Sequence, residues 1–205
     1  MFKIAISCLL FLFTVNLLQA AENDSALTII ENKCKLCHGL EGESSSAIYP
    51  RLAGQHETYM IKQLHDFRSG RRKGIMNEMA ADLTDQQIID LAKYFSSKPG
   101  LSHRVRDKEF AAVGQYIFHR GNKFSGVAAC ASCHGENGEG TDTLPRLAGQ
   151  HKRYVADQLH EFHERKRTND NAIMGSIAAN LTELEIEAVA NYVSGLSDKE
   201  DKEAD

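Results

Sequence analysis

Cys34-Lys35-Leu36-Cys37-His38 and Cys130-Ala131-Ser132-Cys133-His134 are two copies of one pattern, Cys-x-x-Cys-His. This is the attachment signature of c-type haem. Two thiols three residues apart can each add to a vinyl group of one porphyrin, and the adjoining histidine reaches the iron from one face. Two such motifs imply two covalently bound haem c groups, with Cys34, Cys37, Cys130 and Cys133 as the attachment residues and His38 and His134 as iron ligands.

Two other chemistries use Cys-x-x-Cys. A zinc site needs two further Cys or His ligands at short spacing. The only cysteine outside the two motifs is Cys8, which lies in the N-terminal apolar run. A dithiol redox pair has no need of a following histidine and belongs beside a βαβ pattern. Neither copy has that context.

The N-terminus supports the haem reading. Lys3 precedes an apolar run over 4–18, which ends near the small residues Ala20 and Ala21. A charged start, an apolar stretch and a small-residue site form a cleaved export signal, here residues 1–21. The run is short for a membrane span, and Thr14 and Asn16 interrupt it. Haem is attached to c-type proteins outside the cytoplasm, so export suits the chemistry. Each half of the remaining chain is small and buries little surface alone. Haem must supply much of each core, and the haem-free chain is expected to be largely unfolded.

Working outward from the motifs, the chain repeats itself. Pro50-Arg51-Leu52-Ala53-Gly54-Gln55-His56 recurs unchanged from Pro145 to His151, and Gln63-Leu64-His65-Asp66-Phe67 recurs from Gln158 with Glu161 in place of Asp66. Ala80-Ala81-Asp82-Leu83-Thr84 returns from Ala178 with one change, Asn180 for Asp82. One fold used twice is the direct reading. Apolar spacing predicts helices over 25–35, 56–69 and 84–96, then over 110–121, 151–166 and 182–194. Thr84 with Gln87 has the form of a capping box. No segment alternates like a strand. The fold class is therefore all-α, with two tandem haem domains at 22–98 and 109–197. The linker 99–108 contains Pro99-Gly100, and its shortness should keep the domains in contact. Residues 198–205 form a charged, flexible tail.

The sixth iron ligand separates a carrier from an enzyme. Methionine closes the iron and raises its potential, whereas a vacant position admits small molecules. Met60 aligns with Val155 and reads as core. Seven residues before Leu83 and Leu181 stand Met76 and Met174, and the repeat selects these two over Met79. His56 and His151, with His65 and His160, are the competing ligands; a surface or satisfied histidine is the alternative for each. The carbonyls of Pro50 and Pro145 stand where they can accept the Nδ1–H of the haem histidines. Arg51, Arg146, Gln55 and Gln150 are candidates for propionate contacts or for supporting the turn. Arg68, Arg71, Arg72 and Lys73, echoed by Arg165, Lys166 and Arg167, read as a solvated basic face, with docking of an acidic partner as the alternative.

Charge excludes one class of partner. Residues 22–98 hold ten basic and eleven acidic side chains, and 99–205 hold thirteen and seventeen. Neither half has the basic surplus that nucleic acid requires.

With these motifs in view, the chain resembles the dihaem cytochrome c4 family over nearly its whole mature length. The resemblance rests on the paired haem motifs, Pro-Arg-Leu-Ala-Gly-Gln-His in both halves, Gln-Leu-His-Asp/Glu-Phe, and Met174 ahead of Ala-Ala-Asn-Leu-Thr. It implies two class I cytochrome c domains in pseudo-two-fold packing, with His38/Met76 and His134/Met174 on the two irons. It also implies a periplasmic carrier, often loosely membrane-associated, passing electrons from a quinol-cytochrome c reductase towards a terminal oxidase; a free carrier is expected to be a monomer. Met76-Asn77-Glu78-Met79 offers two sulfurs in the first half. The competing functions are the electron-accepting subunit of a dehydrogenase, as in flavocytochrome sulfide dehydrogenases, and a dihaem peroxidase or thiosulfate dehydrogenase. The enzyme needs an open iron or a spare cysteine ligand, and the mature chain offers no spare cysteine.

Overall fold

The computed structural model describes residues 26–102, 105 and 107–197. The expected signal segment and charged tail, and part of the linker, lie outside the described residues. In the first half, helical residues 26–29 run into a π-helical turn, Ile30–Cys34. Then follow α1 (Lys35–His38), α2 (Glu57–Arg68), α3 (Met76–Ala80) and α4 (Asp85–Ser96). The second half has α5 (Lys108–Arg120), α6 (Ala131–His134), α7 (Lys152–His163), α8 (Ile173–Ala178) and α9 (Glu183–Gly195). No strand occurs among the described residues; a single bridge, Asn122 to Val127, closes a loop.

Each half has its own apolar core. In the first, Ile30, Met60, Ile88, Leu91 and Phe95 pack together. In the second, Phe118, Val155, Ile186, Val189 and Val193 do so. Met60 and Val155 are 6% and 7% exposed, so both are core positions. The last helix of each half starts the same way. The Thr84 hydroxyl accepts from Gln87 N–H, and the Gln87 side chain accepts from Thr84 N–H. Thr182 and Glu185 do the same. Thr84→Ala and Thr182→Ala are each expected to lower stability by about 1 kcal/mol, read as a shift in the urea midpoint of the holoprotein.

Two expected helices differ in length. The helix expected over 151–166 ends at His163. Both Lys166 N–H and Arg167 N–H return to Glu161 O, and Arg165 has φ 55°. This reversal lays the Arg167 guanidinium over the Phe162 ring at 4.5 Å. The first half has the same construction, with Arg72 4.6 Å from Phe67. The helix expected over 110–121 begins two residues earlier, capped by the Asp107 carboxylate on Phe110 N–H.

The repeated Pro-Arg-Leu-Ala-Gly-Gln-His segments face each other across the halves. Gln55 donates to Arg146 O and accepts from Arg146 N–H, at 3.0 and 2.9 Å. Gln150 does the same with Arg51, at 3.0 and 2.9 Å. His56 Nε2 lies 2.7 Å from Glu139 O, and His151 Nε2 lies 2.8 Å from Ser44 O. The same side chains serve both directions, so the contact is isologous in the sense used for two-fold oligomers. Gly149, at φ 70°, closes this clasp against the linker: a Cβ there would overlap Leu101 O.

Candidate haem-binding sites

Each haem motif folds as a single helical turn, α1 or α6, in which Cys37 and Cys133 directly precede the buried histidine. His38 is 5% and His134 6% exposed. His38 Nδ1 lies 2.9 Å from Pro50 O, and His134 Nδ1 lies 3.0 Å from Pro145 O. A carbonyl only accepts, so Nδ1 carries the proton and Nε2 keeps the lone pair for iron. Burial pushes both histidines below their ordinary pKa, against the opposing effect of the carbonyls. The neutral imidazole, which is the ligating form, is thus favoured. The loops that deliver these carbonyls return to the motif itself: Ser44 N–H bonds to His38 O, and Gly140 N–H bonds to His134 O.

The four motif cysteines are free. Burial pushes the Cys34 and Cys130 thiols up to about 11. A thioether sulfur is neutral and suits such a site. Among the described residues no group of three or more His, Cys, Asp or Glu is placed to hold a metal ion. The donor set fits covalent haem and does not fit zinc.

On the sulfur side, Met76 opens α3 and is half-buried, whereas Met79 is 42% exposed. Met174, in α8, packs against the second core. The repeated histidines have other partners. His56 and His151 bond carbonyls of the opposite half, as described above. His65 lies against Arg68 and Asp85, and His160 lies 3.4 Å from Glu183.

The family model for cytochrome c matches residues 26–99 and again 118–197. Cytochrome c4 of Pseudomonas aeruginosa is 40% identical over 199 residues, covering 95% of this chain and 98% of the relative. The chain belongs to the cytochrome c4 family. It is an all-α protein of two cytochrome c domains and carries two covalently bound haem c groups. The crystal structure of reduced cytochrome c4 from Pseudomonas stutzeri superposes with a TM-score of 0.80 at 38% identity, covering 84% of this chain and 97% of that one. A thiosulfate dehydrogenase electron acceptor of Stutzerimonas stutzeri is 36% identical, over 82% of this chain and 80% of its own length. Members of the cytochrome c4 family transfer electrons, and that coarse role holds for this chain. No helix among the described residues is long and apolar enough to cross a membrane.

The reading of the basic runs as solvated faces needs correction. Arg72 and Arg167 are 6% and 8% exposed, because the chain reversals after α2 and α7 turn them between the halves. Arg72 donates to Gln63, Gln158 and Tyr154, at 2.8, 2.6 and 3.0 Å. Arg167 donates to Gln158, Gln63 and Tyr59, at 2.8, 3.2 and 3.0 Å. Each arginine thus holds the glutamine of its own half and that of its partner. Burial raises the Tyr59 phenol, but the guanidiniums of Arg167 and Arg72 outweigh this and hold it below its ordinary pKa. Arg68 pairs with Asp85, while Arg71, Lys73, Arg165 and Lys166 remain exposed. Sequence reasoning also missed the reciprocal amide clasp of Gln55 and Gln150. The signal was the repetition of polar Tyr, Gln and Arg at one fixed offset in both halves.

Asp66, 2% exposed, adds a pH dependence. Burial raises its pKa, but Lys62, Asn169 and Arg71 outweigh this and hold it below the ordinary carboxylate value. A depressed carboxylate stabilises the fold above its unfolded pKa of about 4 and loses that contribution as pH falls through the folded value. The urea midpoint is expected to fall below about pH 4, and Asp66→Asn should flatten that limb.

Proposed function

We propose that this chain is a periplasmic, non-catalytic electron carrier with two closed haem sites. Cys34, Cys37, Cys130 and Cys133 hold the haems, and His38 with Met76 and His134 with Met174 ligate the irons. When bound, haem supplies the ferrous–ferric couple; the chain supplies fixed ligands and a fixed spacing. The observation that carries this reading is the paired bond from His38 to Pro50 O and from His134 to Pro145 O, which sets the same ligating tautomer in both halves. The carrier takes electrons from a quinol-cytochrome c reductase and gives them to a terminal oxidase. A monomer exported by a cleaved signal at 1–21, with loose membrane association, suits that role. The domain limits 22–98 and 109–197 follow the repeat.

A second reading has one observation behind it, the relative named as a thiosulfate dehydrogenase electron acceptor. There the same haems would accept electrons from a dehydrogenase. The test mixes the purified holoprotein with quinol and reductase, then with oxidase-containing membranes. Rapid reduction and then reoxidation are expected. Reduction only by a dehydrogenase that co-purifies with the chain would overturn the respiratory route.

A further inference from the structure

The two halves part company at one place. Arg72 and Met76 are four residues apart, whereas Arg167 and Met174 are seven apart. The second half therefore holds three extra residues, within 168–173. The segment they form is anchored on the first half. The Asn169 carboxamide nitrogen donates to Asp66 Oδ2 at 2.7 Å and to Gln63 Oε1 at 3.1 Å, while its oxygen accepts from Arg167 Nε of its own half at 3.1 Å. Lys62 Nζ donates to Asn169 O at 2.6 Å and also binds Asp66. Lys62, Gln63 and Asp66 all belong to α2, in the other half.

From this anchor the chain turns back to the methionine. The Asp170 carboxylate accepts from the backbone N–H of Ala172, Met174 and Gly175. Between them, Asn171 and Ala172 have φ of 56° and 64°. Non-glycine residues hold such a conformation only where the surroundings impose it. The first half does this differently. The Asn77 carboxamide bonds Phe67 O, Arg72 O and Gly74 N–H, all within its own half. At the repeat offset, the position of Asn169 is taken by Gly74, which has no side chain to reach across. The anchoring of the methionine segment thus runs one way.

We propose that Asp66, acting through Asn169, is a positioning residue for Met174, so that the first half sets how firmly the second haem's iron is capped. This rests on the reading of Met174 as an iron ligand. When Asn169 loses its anchor, the strained 168–173 segment relaxes and the Met174 sulfur is no longer held in place.

The test uses proton NMR of the ferric holoprotein, in which each iron-bound methionine gives a strongly shifted methyl signal, together with carbon monoxide binding to the reduced form. Met76→Ala and Met174→Ala assign the two signals. Asn169→Ala and Asp66→Ala are expected to shift or abolish the Met174 signal and to let one carbon monoxide bind per chain, leaving the Met76 signal unmoved. Asp66→Asn keeps an acceptor for Asn169 and should restore most of the signal. Asn77→Ala should move the Met76 signal alone. Should Asp66→Ala fail to fold, Asn169→Ala, on a half-buried side chain, carries the test. An unmoved Met174 signal in Asn169→Ala, or movement of the Met76 signal in Asp66→Ala, would overturn the proposal and leave Asp66 as a support of its own half. If Met174→Ala removes no signal, the ligand reading itself fails, and the proposal fails with it.

Discussion

Gly114→Ala is expected to keep the second half from closing around its haem while the first half still folds. Gly114 lies in α5 where that helix crosses α9, and an added Cβ would overlap the backbone oxygen of Ala188 and press on Tyr192. Overpacking a core typically costs about 1–3 kcal/mol. Here the obstacle is the main chain of α9, which cannot swing aside as a side chain can, so about 3 kcal/mol or more is expected. The neighbouring core residues Phe118, Val189 and Val193 are at most 3% exposed and leave no room for the helices to shift. A domain this small buries little surface, so the loss is a large share of its stability. Haem counting by mass and absorbance should find chains with one haem, and any two-haem fraction should melt in two steps. A single melt within about 0.5 kcal/mol of the unsubstituted protein would show that the crossing has slack.

Arg72→Ala and Arg167→Ala should each weaken the junction between the halves by about 3 kcal/mol. Hydrogen bonds to a charged group are worth about 1.5–3 kcal/mol, and a buried acceptor left without its donor adds a penalty of its own. Arg72 makes three such bonds and Arg167 four, to buried or half-buried partners. The two arginines share Gln63 and Gln158, so after one is removed the other still satisfies both amide oxygens. The double variant, in which Gln158 loses both of its arginine donors, should therefore lose more than the sum of the single losses, by at least about 0.5 kcal/mol. Denaturant melts of the four proteins measure this. Strict additivity would mean that the four side chains do not act as a unit.

How much of this was legible in the sequence varies with the kind of residue. The haem motifs were, because their spacing is a covalent requirement. The helices were nearly so: apolar periodicity placed Ile88, Leu91 and Phe95 on one face, and the Thr84 cap announced the start of α4. The junction was not. Gln55, Gln150, Arg72 and Arg167 are polar, and polar residues read as surface until a second surface covers them. Arg72 sits in a run of basic residues whose other members, Arg71 and Lys73, are indeed exposed, so composition alone could not single it out. The π-turn at Ile30–Cys34 was also invisible, since its residues fit an ordinary helix. The three-residue difference between 72–76 and 167–174 was present in the sequence, but its meaning depended on α2 of the other half lying beside it.

The most direct test of two closed His/Met sites is the optical spectrum of the purified holoprotein, with a haem count and carbon monoxide added to the reduced form. Two covalent haems per chain, a ferric methionine–iron charge-transfer band and no change on adding carbon monoxide are expected. A missing band, or a carbon monoxide adduct at either haem, would contradict two closed sites.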